Sequence, residues 1–305
     1  MQNAESSARI PVTIVTAGDE NYCDILKGLV RSIRCHPQSM WIPIVVLDLG
    51  FGDETKAWLS GQGARCVKPD WDHHFDPVLP EYFKAMVSRP HLPKYVPETD
   101  IIVWLDADTW VQDWSAVELL IEGAKTTGFA IVPESDRSYT PLYNDSLYIS
   151  YQFDWFRQCF NDEIARNLFS YPLINCGVFA ARVDAPHWAA WAGALAESFG
   201  RKVLFVSEQT VLNVVLRTFG LPFSQLPAKC NWICFRAPPR CSEDGRTLLT
   251  PELPHEPIGI VHLAGYSYKD KQNPLTLTTV QGKKVMRSVC FMAEAESLGN
   301  IVIEE

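Results

Sequence analysis

Basic charge is scarce in this 305-residue chain: 27 Lys and Arg face 36 Asp and Glu, for a formal net charge of −9. That balance excludes binding modes that lay a nucleic-acid backbone along a broad basic groove. No apolar run approaches the roughly 20 residues that span a bilayer. Residues 1–9 are polar, without an apolar stretch of signal-peptide length. They are expected to be a disordered N-terminus, and the protein to be cytoplasmic with at most peripheral membrane association. Paired Cys-x-x-Cys spacing is also missing from the nine cysteines. Cys230, Cys234 and Cys241 have no close histidine, so buried, reduced thiols are the simpler reading than a zinc site. Low-complexity linkers and internal repeats are absent too, which favours one domain. With 47% hydrophobic residues, the chain can bury a sizeable core.

What is present is concentrated at Ile101-Ile102-Val103-Trp104-Leu105-Asp106-Ala107-Asp108. The apolar run has the length and β-branching of a strand buried on both faces. It delivers two carboxylates to its C-terminal end, where open α/β sheets bind ligands. Read as extended chain, residues i and i+2 point the same way. Converging carboxylates repel and resist desolvation unless a cation lies between them. Mg²⁺ or Mn²⁺ is the matching hard ion.

Around this run the hydrophobic pattern predicts alternating strands and helices. Strands are expected at 10–17, 42–47, 64–67, 128–132, 174–182 and 258–261. Helices are expected at 23–35, 53–60, 90–96, 115–125, 154–168, 186–199 and 207–219, with Asp113 or Ser115 capping the fourth and Ser207 the last. Irregular loops are expected at 69–80 and 134–152, the second as a mobile cover. Such alternation implies a mostly parallel sheet flanked by helices.

Three further clusters carry polar groups suited to chemistry. His262, Gly265 and Lys269 follow the last strand, where an imidazole could join a metal shell and a lysine could neutralise phosphate. Glu208 and Gln209 open a helix, where a carboxylate also simply complements the dipole. Asn175 starts a buried strand and needs a partner there.

Taken in order, these segments resemble the family 8 glycosyltransferases, retaining enzymes of the GT-A fold. Thr16-Ala17-Gly18-Asp19-Glu20-Asn21-Tyr22 is similar to that family's Ala-x-Asp-x-Asn-Tyr loop, which grips uridine. Ser88-Arg89-Pro90 lies where the family places a cation that reaches the donor. Trp104-Leu105-Asp106-Ala107-Asp108 resembles its Tyr-Leu-Asp-x-Asp. Asn175-Cys176-Gly177-Val178 resembles Asn-x-Gly-Val, Glu208-Gln209-Thr210 resembles Asp-Gln-Asp, and Leu226-Pro227 with Asn231 resembles a later Leu-Pro…Asn. His262…Gly265…Lys269 resembles His-x-x-Gly-x-x-Lys, with the lysine one residue late and Lys271 as the other choice.

The resemblance implies a GT-A glycosyltransferase domain over 10–269, with 270–305 as a small C-terminal extension packed on it. It implies hexosyl transfer from a UDP-sugar to an acceptor hydroxyl on a glycan, a lipid-linked sugar or a small molecule. Asp106, Asp108 and His262 would hold Mn²⁺ or Mg²⁺. Thr16, Ala17, Asp19, Asn21, Tyr22, Arg89, Asp106, Ala107, Asn175, Gly265 and Lys269 would contact the donor. Gln209, Glu208 and Asp108 would serve catalysis, with Glu208 on a sugar hydroxyl. Two alternatives are a nucleotidyltransferase acting on sugar phosphates and a catalytically inactive nucleotide-sugar-binding protein.

Overall fold

The computed structural model describes residues 11–76, 78–139, 146–265, 268–269 and 274–292, with the backbone of 302–303. Its centre is a seven-stranded sheet. The strands are β1 (Val12–Gly18), β2 (Ile44–Asp48), β3 (Ala64–Val67), β4 (Ile101–Leu105), β6 (Phe129–Pro133), β7 (Ile174–Arg182) and β8 (Ser224–Gln225). The order is β3-β2-β1-β4-β7-β6-β8. β3, β2, β1 and β4 run parallel, and β7 runs antiparallel to both β4 and β6.

The sheet is buried on both faces, as the run at 101–105 predicts, and the pleat sorts its side chains. Ile101, Val103 and Leu105 join Ile14, Ile44 and Val46 in one core. Ile102 and Trp104 join Val15, Val45 and Leu47 in another. The first core is closed by helices α1 (Cys23–Arg34), α2 (Asp53–Gly61) and α4 (Ser115–Thr127), using Leu26, Leu29, Ile33, Leu59, Val117 and Leu120. A short α3 (Lys84–Val87) precedes the 3₁₀ stretch Arg89–Tyr95. The second core is closed by α7 (His187–Phe199) and α8 (Ser207–Thr218) with Trp191, Leu195, Val211 and Val215. The central strands β1, β2 and β4 are apolar on both sides, which is the signature of a sheet covered by helices on both faces.

Several local expectations shift. The helix expected at 154–168 is two helices, α5 (Ser146–Cys159) and α6 (Asp162–Leu168). The irregular stretch expected at 134–152 therefore ends by Ser146, and residues 140–145 of it lie outside the described residues. Ser207 does not cap its own helix: its Oγ accepts from Leu204 N at 2.8 Å, tying the helix to the loop before it. Asp113 does serve the start of α4, accepting from Ser115 N at 2.9 Å.

A second, three-stranded sheet sets the site. It consists of β5 (Thr109–Val111), β9 (Trp232–Ile233) and β12 (Ile260–His262), in the order β5-β12-β9. β12 pairs with β5 so that His262 lies opposite Thr109. The histidine expected just beyond that strand is its last residue. A five-stranded sheet combines β10 (Arg240–Cys241) and β11 (Leu248–Leu249) with β13 (Leu275–Thr279), β14 (Lys284–Arg287) and β15 (Val302–Ile303). No described helix is long and apolar enough to cross a membrane.

Candidate active site

The chain turns sharply between β4 and β5, and Asp106, Ala107 and Asp108 form that turn. The Asp106 carbonyl accepts from Thr109 N at 3.0 Å and from Thr109 Oγ1 at 2.8 Å. Convergence of the two carboxylates thus comes from a side-chain-locked turn and not from the alternation of an extended strand, which corrects the sequence-based argument. From the partner strand, Gly177 O accepts from Asp106 N at 2.8 Å. Leu263 N donates to Asp108 O at 2.8 Å.

These bonds bring Asp106, Asp108 and His262 together, with one ligand atom from each inside a 4.8 Å group. It is the one such group among the described residues. Asn231 Oδ1 accepts from His262 Nδ1 at 2.9 Å, which leaves Nε2 towards Asp108 at 3.4 Å. An amide fixing one ring nitrogen so that the other can ligate is the usual support for a metal-binding histidine. Asp108 also pairs with Lys269 Nζ at 2.9 Å. Burial pushes its carboxyl up, but His262 and Lys269 overcome this and hold it well below the usual carboxylate range.

Asp106 is fixed differently. Its Oδ1 accepts from Trp104 Nε1 at 2.7 Å and from Arg89 Nη2 at 2.5 Å, so Oδ2 is the oxygen left for a cation. Arg89 extends away from there to Glu208 Oε2 at 2.8 Å, and its guanidinium also covers the Trp104 ring at 5.0 Å. Arg89 and Glu208 are both buried. Desolvation pushes the Glu208 carboxyl from 4.5 up to about 7, with Arg89 opposing and Asp106 adding to the rise. The donor-reaching cation expected at Arg89 is therefore held beneath Asp106. Glu208, expected on a sugar hydroxyl, is 3% exposed and bonds to Arg89, while its Oε1 has no partner among the described residues.

Glycine is required at 177 by contact. A Cβ there would lie 2.5 Å from His262 Cε1 and 2.9 Å from both Asp106 Oδ2 and Asn175 Oδ1. The missing side chain lets His262, Asp106 and Asn175 close in on the strand. Sequence reading quoted Gly177 inside a motif but gave it no task; a glycine in the middle of a buried nine-residue strand was the available signal. Gly177→Ala should displace the His262 ring by a large fraction of an ångström. Divalent-ion affinity, read by titration calorimetry with Mn²⁺, should fall about ten- to a hundredfold, the usual scale when a ligand's support is disturbed.

The remaining predicted residues surround this group. Asp19 Oδ1 accepts from Tyr22 N at 3.2 Å and fixes the 3₁₀ turn Glu20–Tyr22, while Asn21 Nδ2 donates to Asp19 Oδ2 at 3.4 Å. Lys269 Nζ reaches Tyr22 OH at 3.3 Å and lies 4.9 Å from its ring centroid, linking that turn to Asp108. Thr16 and Ala17 are buried at the end of β1, and Thr16 Oγ1 has no partner among the described residues. Gln209 Oε1 accepts from Cys176 N at 3.2 Å. Asn175 Oδ1 accepts from Gly177 N at 2.8 Å and from Asn231 Nδ2 at 3.2 Å. Gly265 is exposed with φ +94, a conformation that favours glycine. Lys271 lies outside the described residues.

Sequence reasoning also missed the buried pair Glu134–Arg236, whose Oε2 and Nη2 are 2.7 Å apart. Glu134 Oε1 accepts from Asn175 Nδ2 at 3.3 Å, which joins this pair to the site. No periodic or motif signal marks either residue, since they lie about a hundred positions apart.

No family model and no curated protein sequence matches the chain. Solved structures do. An active-site mutant of LgtC is 16% identical with a TM-score of 0.53, covering 84% of this chain and 88% of LgtC. The galactosyltransferase LgtC in complex with donor and acceptor sugar analogues gives a TM-score of 0.51 at 16% identity, with the same coverages. The bifunctional glycosyltransferase WbbM gives 0.55 at 16% identity over 85% of this chain, which spans 47% of WbbM. The chain has the fold of these glycosyltransferases: a mixed α/β sheet, mostly parallel and flanked by helices, as expected for a GT-A protein.

Proposed function

We propose that the protein is a metal-dependent glycosyltransferase of the family 8 type, moving a hexosyl group from a UDP-sugar to an acceptor hydroxyl with retention of configuration. The observation that carries this is the meeting of Asp106, Asp108 and His262 over the bare backbone of Gly177, in a fold shared with glycosyltransferases. Two carboxylates and one neutral imidazole nitrogen suit Mn²⁺ or Mg²⁺, and the bare Gly177 backbone is what lets Asp106 and His262 approach each other so closely. When bound, such an ion supplies Lewis-acid stabilisation to the leaving diphosphate.

The chain's own residues do the rest. Tyr22 offers a ring for the base, and the Asp19-capped turn orients it. Lys269, between Tyr22 and Asp108, adds the positive charge that an acidic protein needs to hold a diphosphate. Asn175 and Gln209 flank the sugar, and the bond from Cys176 N fixes the Gln209 amide. Glu208 keeps Arg89 under Asp106. Among the described residues no carboxylate is bonded to Gln209 in the role of a displacement nucleophile, so a front-face route, in which the leaving phosphate takes the acceptor proton, fits best. Residues 10–269 are the catalytic domain in this reading and 270–305 its C-terminal extension, and the nine free cysteines suit a cytoplasmic setting.

UDP should stabilise the protein only when Mn²⁺ or Mg²⁺ is present. At a hundredfold excess over the dissociation constant the gain is about 2.7 kcal/mol, or roughly 5 °C in Tm. Stabilisation by UDP in the presence of chelator would remove the metal from the reading. Failure of every nucleotide sugar to be hydrolysed would leave the inactive binding protein, and release of pyrophosphate from a nucleoside triphosphate would indicate the nucleotidyltransferase.

A further inference from the structure

Next to the Glu134–Arg236 pair lies an aromatic row that the proposed chemistry does not use. The Arg236 guanidinium lies 4.3 Å from the Phe235 ring centroid and 4.1 Å from that of Tyr148. Tyr148 meets Trp155 edge-on at 6.2 Å, and Trp155 is stacked with Tyr151, their ring centroids 6.5 Å and their planes 13° apart. Tyr151 and Phe235 are 50% and 44% exposed. Tyr148, Tyr151 and Trp155 come from α5, and Phe235 and Arg236 follow β9, so two separate elements build one row.

The row is connected to the site through buried polar groups. Arg236 holds Glu134, Glu134 accepts from Asn175, Asn175 accepts from Asn231, and Asn231 fixes His262. Phe235 also borders the loop after His262: a Cβ on Gly265 would lie 3.9 Å from Phe235 Cβ. The row therefore begins beside the sugar and metal residues and runs outward along α5.

We propose that this row is the acceptor subsite and that the acceptor is a saccharide. The proposal rests on the glycosyl-transfer reading above. One face of a pyranose is a patch of polarised C–H groups, which match the negative face of an aromatic ring. Its hydroxyls need donors and acceptors along the same surface, and Tyr151, Trp155 and Arg236 bring polar tips beside the rings. A net charge of −9 disfavours a polyanion.

Saturation-transfer NMR on the whole protein tests this with cellobiose, lactose and octyl β-glucoside, irradiating aromatic protons. UDP stabilisation of the unaltered protein with Mn²⁺ is measured alongside. Transfer should concentrate on the C–H protons of one pyranose face. Tyr151→Ala and Trp155→Leu should each weaken binding about three- to tenfold, whereas Tyr151→Phe, which keeps the ring, should retain most of it. Trp155→Leu keeps apolar area and loses the ring, so wild-type binding by that variant overturns the subsite. Transfer carried by the octyl chain, or to no saccharide at all, overturns it as well. If UDP with Mn²⁺ stabilises the protein in those cases, the glycosyl-transfer reading survives; if it does not, that reading fails first.

Discussion

Asp108→Ala should lower Mn²⁺-dependent sugar transfer or donor hydrolysis at least about a thousandfold, beyond the usual loss for one electrostatic contact at a developing charge. Asp108 is one of two carboxylates in the ligand group and also the anchor for Lys269 and His262. Its removal takes away an oxygen ligand, leaves Lys269 without its counter-charge and leaves His262 Nε2 without its neighbour. The turn itself should persist, because its backbone bonds run through Asp106, Thr109, Gly177 and Leu263. Circular dichroism should therefore match the unaltered protein while turnover is lost. Near-normal turnover in a folded variant would remove the metal from the mechanism.

Arg89→Met should act on stability as strongly as Asp108→Ala acts on rate. Arg89 is the buried cation between Asp106 and Glu208, and taking one partner from a buried ionic group typically costs about 3–5 kcal/mol. For a chain of this size that is a Tm drop of roughly 5–9 °C. The pH dependence has a definite sign. Desolvation already lifts Glu208 from 4.5 to about 7 in the folded protein, and Arg89 is its largest opposing influence. Without Arg89 the folded value rises further. A carboxyl bound more tightly to its proton in the folded state stabilises at low pH, and that stability is lost as pH climbs above the ordinary value. The variant's deficit should therefore stay level up to about 7, where Glu208 of the unaltered protein ionises, and widen above it. Adding Glu208→Gln should recover part of the loss, the coupling expected of neighbours. Additive losses in that double variant would separate Arg89 from Glu208.

Local sequence carried the strand at 101–105 and the carboxylates after it, because burial on both faces demands an unbroken apolar run. It also carried the positions of α1, α7 and α8, expected at 23–35, 186–199 and 207–219. Proximity across the sheet was less legible. Arg89 and Glu208 are 119 positions apart, and their meeting depends on how α8 packs on β7. The resemblance places Arg89 near the donor, and the structure adds its bonds to Asp106 and Glu208. Ser207 shows the same limit at short range, since a serine at a helix start can bond backward to Leu204 as readily as forward. The Glu134–Arg236 pair had no marker at all, because an acid at a strand end and an arginine after a short strand are ordinary surface residues until the fold buries them.

β7 runs against β4, and its consequence reaches into how the protein assembles. Asp106 meets Gly177 across that antiparallel pairing, Asp108 meets His262, and Asn231 meets His262 from beside a strand that pairs in parallel. None of these contacts is local, so each closes a long loop and forms late. The parallel strands β1 to β4 can be complete while His262 is still far along the chain from Asp106 and Asp108. A nascent molecule halted at that stage would have its carboxylate turn in place and nothing yet to hold a cation against it.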